Sequence, residues 1–255
     1  MTDLPTAPGW PEGVGRVILD SIDSTNAEAL RRAPGLAGPV WILARRQEAG
    51  RGRRGRGWES PLGNFYASLA LPDGGAPADA AKLGFVAALA LHDVLAGLVG
   101  PLAQVAIKWP NDVLLNGGKI SGILLESHSG GGRISALAVG MGVNLAAAPP
   151  PEAVEPGAVR PVALRDVLGE APAAEAFLDR LAPAFAHWQA RLAAEGFAPV
   201  RAAWLARAAR LGQIITARTP RLTIEGRFDG IDAEGALILT TEAGRKAIPA
   251  ADIHF

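Results

Sequence analysis

The chain predicts an α+β protein: a mixed, largely antiparallel sheet with helices against it, and a small β domain at the C-terminal end. Three observations carry this. Short apolar runs follow one another between residues 105 and 145 with only tight turns between them, so there is no βαβ repeat. Ala78–Val99 places Leu83, Val86, Ala90, Val94 and Leu98 at helical spacing, with Leu91 and Leu95 widening the stripe. After Leu211 the texture changes to brief β-type runs separated by turn residues. At 255 residues, 49% hydrophobic and 20% charged, the chain suits one large domain, 1–210, and a small one, 211–255.

In chain order, Val14–Leu19 reads as a first strand. Thr25 and Glu28 stand three apart before a helical stretch, a capping-box pattern, and Pro34 and Gly35 end that helix. Val40–Ala44 is a short buried strand, Asn64–Leu71 the next, and Pro72–Gly75 a turn into the long helix. Val105–Trp109 and Val113–Leu115 are short strands. Asn116-Gly117-Gly118 makes a tight turn into the strand Lys119–Ser127, which Ser129–Gly132 turns back into Ile134–Leu145. The two helices of this region are expected on one side of the sheet. Ala147–Arg160, rich in proline and alanine, reads as a surface loop, and Ala173–Glu195 and Pro199–Ala209 as helices. Gln213–Arg218, Leu222–Phe228, Ala236–Thr241 and Lys246–Ile248 are the strands of a small barrel, punctuated by Thr219-Pro220, Asp232–Gly235 and Glu242–Gly244.

Basic and acidic residues balance at 25 each. A nucleic-acid-binding domain usually carries a basic surplus or a basic face. Here positive charge is concentrated in one loop, which favours a small phosphorylated ligand. Cysteine is absent, which excludes disulfides and thiolate metal sites and is compatible with a reducing compartment. Met1–Trp10 has neither the basic nor the apolar region of a signal peptide, and no apolar run is expected to have the length of a membrane span. The expected location is the cytoplasm.

The loop in question is Gly50-Arg-Gly-Arg-Arg-Gly-Arg-Gly57, closed by Trp58. It has too much glycine to hold a helix or strand and too much charge to be buried. Guanidiniums bind phosphate in bidentate geometry, glycines admit close approach, and an aromatic offers a flat face for a base. The alternatives are a phosphate clamp for a small molecule and a solvated RNA-binding segment. In Lys108-Trp-Pro-Asn111-Asp112, Asp112 suits a divalent cation and Asn111 a ribose or phosphate oxygen, or the segment is a plain Asn-Asp turn. Lys119 follows two glycines and opens a buried strand, aiming an ammonium at an anion or letting it snorkel to solvent. Ser24-Thr25-Asn26 is a helix cap that can also present hydroxyls and an amide to a polar ligand. Gly140 and Gly142 inside a strand mark close approach by a ligand or another backbone. A phosphate P-loop and a dinucleotide fingerprint are both absent, and the four histidines show no ligand spacing.

Taken together, Ser24-Thr25-Asn26, Gln47–Arg56 with Trp58, Lys108–Asp112, Gly118–Glu126 and Gly140–Asn144 occur in the order found in biotin–protein ligases, and the chain resembles that family. The C-terminal stretch Gly226–Ala247 resembles the family's small SH3-like barrel. The resemblance implies a fold of the class II aminoacyl-tRNA synthetase-like, biotin–lipoate ligase type. It implies a reaction in which biotin and ATP, with Mg²⁺, form biotinyl-5′-AMP, and a lysine of a biotin carboxyl carrier protein then displaces AMP.

By the same resemblance, Ser24, Thr25, Asn26 and Gln47 face biotin, helped by Gly50, Arg51, Gly52, Gly122, Gly140 and Gly142. Arg53 and Lys119 are the catalytic cations and touch both substrates; Arg56, Trp58, Asn111 and Asn144 serve ATP; Asp112 holds Mg²⁺. A cation between a carboxylate and an α-phosphate would neutralise their repulsion as they meet. The chain resembles the ligase-only members that lack an N-terminal helix-turn-helix domain, so no DNA or membrane partner is expected, and a homodimer stays open. The C-terminal barrel, where Arg227, Asp229 and Arg245 border strands, is expected to support ATP use or carrier docking and not to bind biotin. The enzymatic alternative is a lipoate or octanoate ligase or transferase of the same fold; the non-enzymatic one is an RNA-binding protein.

Overall fold

The computed structural model describes residues 9–155, 157–219 and 221–254, so Pro220 of the expected Thr219-Pro220 turn and most of the N-terminal stretch lie outside the described residues. Strands β1 (Gly15–Leu19) and β2 (Val40–Ala44) run parallel and are joined through helix α1 (Thr25–Arg32). Then come β3 (Phe65–Leu71), α2 (Pro77–Val99), β4 (Val105–Lys108), β5 (Asp112–Leu115), β6 (Gly118–Gly130) and β7 (Arg133–Val143). The seven strands form one sheet in the order β1-β2-β3-β7-β6-β5-β4, antiparallel everywhere except β1 with β2.

The alternation of β3 and β7 separates the two faces of this sheet. Phe65, Ala67 and Leu69, with Leu137, Val139, Met141 and Val143, join the main core. That core also takes in α2 and the later helices α4 (Ala174–Glu195) and α5 (Phe197–Leu205). Ala70 and Ala138 point the other way and pack with Ile42 and with Ala29 of α1. The helices of this region therefore lie on opposite faces, not on one side as expected. Small residues beneath α1 let it sit close to the sheet, and what remains of that face holds the site.

The α1 cap falls one residue earlier than the Thr25–Glu28 pattern implies. Ser24 is extended and its hydroxyl accepts from the Ala27 N–H at 3.5 Å. Thr25 is inside the helix and buried, and Glu28 pairs with Arg31 and Arg32 at 2.7 and 2.6 Å. Helix α2 also departs from expectation. Residues Pro77–Leu102 are long and apolar enough to cross a bilayer by length and composition. Here they form the central core helix, burying Phe85, Val86, Leu89, Leu91 and Leu95 among others, each contributing ~1.5–3 kcal/mol of transfer free energy.

Helix α5 starts and stops earlier than the predicted Pro199–Ala209. Pro199 sits in its first turn, where a missing N–H costs nothing. It ends at Leu205 because the chain turns to the outer edge of β4: Ile107 N–H donates to Arg207 and Ala209 N–H to Ile107, both at 2.8 Å. The short helix α3 (Arg165–Leu168) follows the loop after β7.

After Leu211 come β8 (Ile214–Arg218), β9 (Thr223–Ile231), β10 (Leu237–Thr241), β11 (Gly244–Ile248) and a fifth strand that sequence reading missed, β12 (Asp252–His254). They form an antiparallel sheet in the order β11-β10-β9-β8-β12. The two domains share one core. Trp109 Nε1 donates to Gly235 O at 3.0 Å, and Gly235, at φ +88, lies so close to Phe85 that a Cβ there would come within 2.7 Å of the ring.

Candidate active site

The site lies on the α1 face of the sheet, and the strand register arranges its parts. Over β3 and β7 sits a closed polar network. Gln47 Oε1 accepts from the Thr25 N–H at 2.9 Å and from its hydroxyl at 3.1 Å, and Gln47 Nε2 donates to Ser60. Ser68 Oγ lies 2.8 Å from Thr25 Oγ1 and 2.6 Å from Asn26 Oδ1. Asn26 Nδ2 donates to Leu124 O at 3.1 Å and to Glu126 Oε2 at 2.9 Å. Ser24, Thr25, Asn26 and Ser68 are all buried. Buried polar groups paired in this way hold one geometry, because an unpaired one would cost ~1–3 kcal/mol.

The glycines of β6 and β7 admit these side chains. A Cβ on Gly140 would overlap the Asn26 amide, with its carbon 2.8 Å away. One on Gly142 would lie 2.7–2.9 Å from the Trp58 indole, and one on Gly122 3.0 Å from the same ring. The close approach read from the sequence is thus made first of all by the protein's own side chains.

Farther across the sheet lies a charge cluster. Asp112 on β5 faces Lys108 on β4 and Gly122 on β6. Its carboxylate is 2.7 Å from Lys119 Nζ and 3.7 Å from Lys108 Nζ. The pairing of β5 with β6 slips by one residue: Val113 faces Ser121 but Leu114 faces Lys119, which leaves Ile120 as a bulge. Strict alternation would put Lys119 on the same face as Ile123, in the core; the bulge returns it to the site while Ile120 takes the core position. Lys119 Nζ also stands 5.6 Å from the centre of the Trp58 ring. Burial lowers the Lys108 pKa from its ordinary value, against the pull of Asp112.

The arginine loop crosses toward the C-terminal sheet. Its hairpin closes through Gly52 N–H to Arg56 O at 2.7 Å and Trp58 N–H to Gly50 O at 2.9 Å. Gly50 is needed because a Cβ there would lie within 3 Å of Trp58 O, the Gln47 amide and the Ser60 hydroxyl. Arg53 Nη1 donates to Asn111 Oδ1 at 3.3 Å and to Ala251 O at 3.4 Å, and Arg51 pairs with Glu126 at 3.5 Å. Burial lowers the Arg53 pKa, opposed by Asp252 and Asp112.

One cavity of about 550 Å³ brings together Ser24, Thr25, Asn26, Gln47, Arg51, Gly52, Arg53, Arg56, Trp58, Asn111, Asp112, Lys119, Gly122, Gly140, Gly142 and Asn144. Gly50 is outside its lining. The Asn144 amide donates to Val162 O at 3.2 Å and so also ties down the following loop. That loop is more than a surface connection, since Pro149, Val154, Glu155 and Val159 wall the cavity.

The expected Mg²⁺ ligand does not fit. Asp112 already faces two ammonium groups, which repel a divalent cation. Asp112 is instead the counter-charge that holds the lysines. Arg227 and Asp229 pair with each other at 2.7 Å on an exposed surface; Arg218, Thr219, Asp252, Ile253 and His254 are the C-terminal residues that reach the cavity. Sequence reading also passed over Ser68, whose signal was a polar residue inside the apolar run Phe65–Leu71, and gave no role to Lys108.

A model of the biotin/lipoate A/B protein ligase family matches residues 16–144, and one of the biotin protein ligase C-terminal domain matches residues 211–255. The chain is 62% identical over 239 residues to a biotin–[acetyl-CoA-carboxylase] ligase of Paracoccus denitrificans, covering 93% of this chain and 99% of that protein. It is 33% identical to the bifunctional ligase/repressor BirA of Bacillus subtilis over 84% of this chain and 65% of that protein. A biotin protein ligase from Aquifex aeolicus, solved with biotin and ATP, has the same fold, with a TM-score of 0.79 at 24% identity over 94% of this chain and 97% of that one. With both segments matched and a relative covered almost end to end, the chain belongs to the biotin protein ligases of the biotin/lipoate A/B protein ligase family.

Proposed function

We propose that the protein uses ATP to attach biotin to a lysine of a biotin carboxyl carrier protein, the carrier being that of acetyl-CoA carboxylase, as in the name of its 62% identical relative. The observation that carries this reading is the order of groups along one cavity: a fixed polar pocket over β3 and β7, then Lys119, Asp112 and Lys108, then the arginine loop. Biotin is neutral and polar at its ureido ring and anionic at its carboxylate. The pocket of Ser24, Thr25, Asn26 and Gln47 suits the ring, and Lys119 suits the carboxylate.

In the first step a carboxylate oxygen of biotin attacks the α-phosphorus of ATP, the bond to the β-phosphate oxygen breaks, and pyrophosphate leaves with that electron pair. Two anions must approach, and Lys119, held by Asp112 and backed by Lys108, lowers their repulsion in a site shielded from water. Arg53 and Arg56 carry charge for the phosphates, and Trp58 offers an apolar face. In the second step the carrier lysine, as a free amine, attacks the acyl carbon of biotinyl-5′-AMP. AMP departs and the nitrogen loses a proton. The arginine loop shields the acyl phosphate from hydrolysis until then. Residues 1–210 supply the biotin and acyl-transfer chemistry, and residues 211–255 complete the nucleotide side.

The test is incubation with an unbiotinylated carrier domain, biotin and MgATP, followed by mass measurement of the carrier. The expected product gains one biotinyl group on one lysine, with biotin-dependent pyrophosphate release. Transfer of octanoate or lipoate instead would move the reading to the other branch of the family.

A further inference from the structure

The arginine loop is anchored from the far domain. Asp252 on β12 lies 2.7 Å from Arg54, 3.4 Å from Arg56 and 3.7 Å from Arg53, and its side chain is only 22% exposed. The neighbouring Ala251 carbonyl accepts from Arg53. Arg54 takes a left-handed backbone, φ 59, that turns its side chain to this carboxylate. The same strand reaches the loop after β7: His254 Nδ1 is 3.1 Å from Gly157 O, and Glu155 from that loop pairs with Arg56 at 2.8 Å.

Four glycines and four arginines would otherwise spread by mutual repulsion and chain entropy. We infer that Asp252 is a positioning residue for adenylation: its carboxylate gathers Arg53, Arg54 and Arg56 over the cavity before ATP arrives, so the C-terminal sheet preorders the phosphate-binding loop. The inference rests on the ligase reading above, because it assigns the arginines to the phosphates. An arginine already gathered loses less freedom when a phosphate reaches it. Biotin draws most of its contacts from the network over β3 and β7, so losing Asp252 weakens ATP more than biotin.

The wild-type protein is assayed first for biotin-dependent pyrophosphate release, and no release would refute the ligase reading itself. Asp252→Asn and Asp252→Glu are then compared, with Asp229→Asn as a carboxylate change elsewhere in the same sheet. Asp252→Asn is expected to raise the KM for ATP by ~10-fold or more, the scale of one charge-assisted contact, while the Kd for biotin changes several-fold less. Trypsin should cut the ligand-free loop of Asp252→Asn about fivefold faster than wild type, as expected for a tethered segment released. Asp252→Glu should recover most of both effects, and Asp229→Asn should match wild type. An unchanged or lowered KM for ATP, unchanged trypsin cleavage, or equal weakening of biotin and ATP would each overturn the assignment.

Discussion

Replacing Gly140 by alanine adds one methyl group against Asn26, a buried side chain of the proposed biotin pocket. The new Cβ would stand 2.8 Å from Asn26 Cγ and 2.9 Å from Nδ2, where ordinary contacts are 3.4–4 Å. Asn26 cannot swing aside, because its amide is bonded to Ser68, Leu124 and Glu126 and it is 4% exposed. Clearing the methyl breaks the bond to the Glu126 carboxylate, ~1.5–3 kcal/mol, and at least one neutral bond, ~1 kcal/mol. The sum, about 2.5–4 kcal/mol, corresponds to a loss of roughly 60- to 700-fold in biotin affinity if the pocket bears it all. Titration calorimetry with biotin alone reads the binding share and a thermal melt reads any share borne by the fold. Biotin affinity within about threefold of wild type together with an unchanged melt would refute the packing argument. A double-mutant cycle sharpens it: with Asn26→Ala in place the methyl has room, so Gly140→Ala should add less than ~1 kcal/mol.

Lys119→Ala should slow biotin-dependent pyrophosphate release by at least ~10²-fold, the effect of removing one preorganised electrostatic group, with circular dichroism unchanged; a rate near wild type would remove Lys119 from the chemistry. Arg53→Gly takes away the contacts to Asn111 and Ala251, so the loop covers the cavity less well. The acyl-adenylate should then escape and biotinylate bystander lysines in a mixed-protein assay, and no increase over wild type would count against a shielding loop. Asp93 is remote from the site. Burial raises its pKa, but hydrogen bonds from His92 and Trp188 and the charge of Arg207 outweigh that and hold the carboxyl below its usual range. A depressed folded pKa stabilises above the unfolded value, about 4, and that contribution disappears as pH falls through the folded value. Asp93→Asn should therefore be less stable than wild type at neutral pH, and the gap should close on acidification; a gap that is constant with pH would contradict this.

The parts of the site that could be read from the chain are those whose chemistry is local. A run of alternating glycine and arginine has few other uses, and Lys108–Asp112 and Gly118–Gly122 each place charge beside a turn. The element types were legible for the same reason: periodicity and turn residues act over a few positions. What misled was local pattern taken beyond its reach. Thr25 and Glu28 had capping-box spacing, yet Thr25 is claimed by Gln47 from the loop after β2 and by Ser68 from β3. Asp112 had the chemistry of a metal ligand until two lysines were brought onto it.

The amino-acid order by itself determined which residues carry charge and, through periodicity and turn residues, most of the segments that run as helix or strand. Only the tertiary structure decided what each of these faces. Lys119 points into the site because β6 slips one residue against β5, an event set by strand pairing and invisible in composition. Asp252 meets arginines almost 200 positions earlier in the chain because the two domains share one core and bring β12 against the cavity. Long-range contacts of this kind arise from burying apolar surface, which is blind to sequence distance, and they bring the arginine loop to its carboxylates.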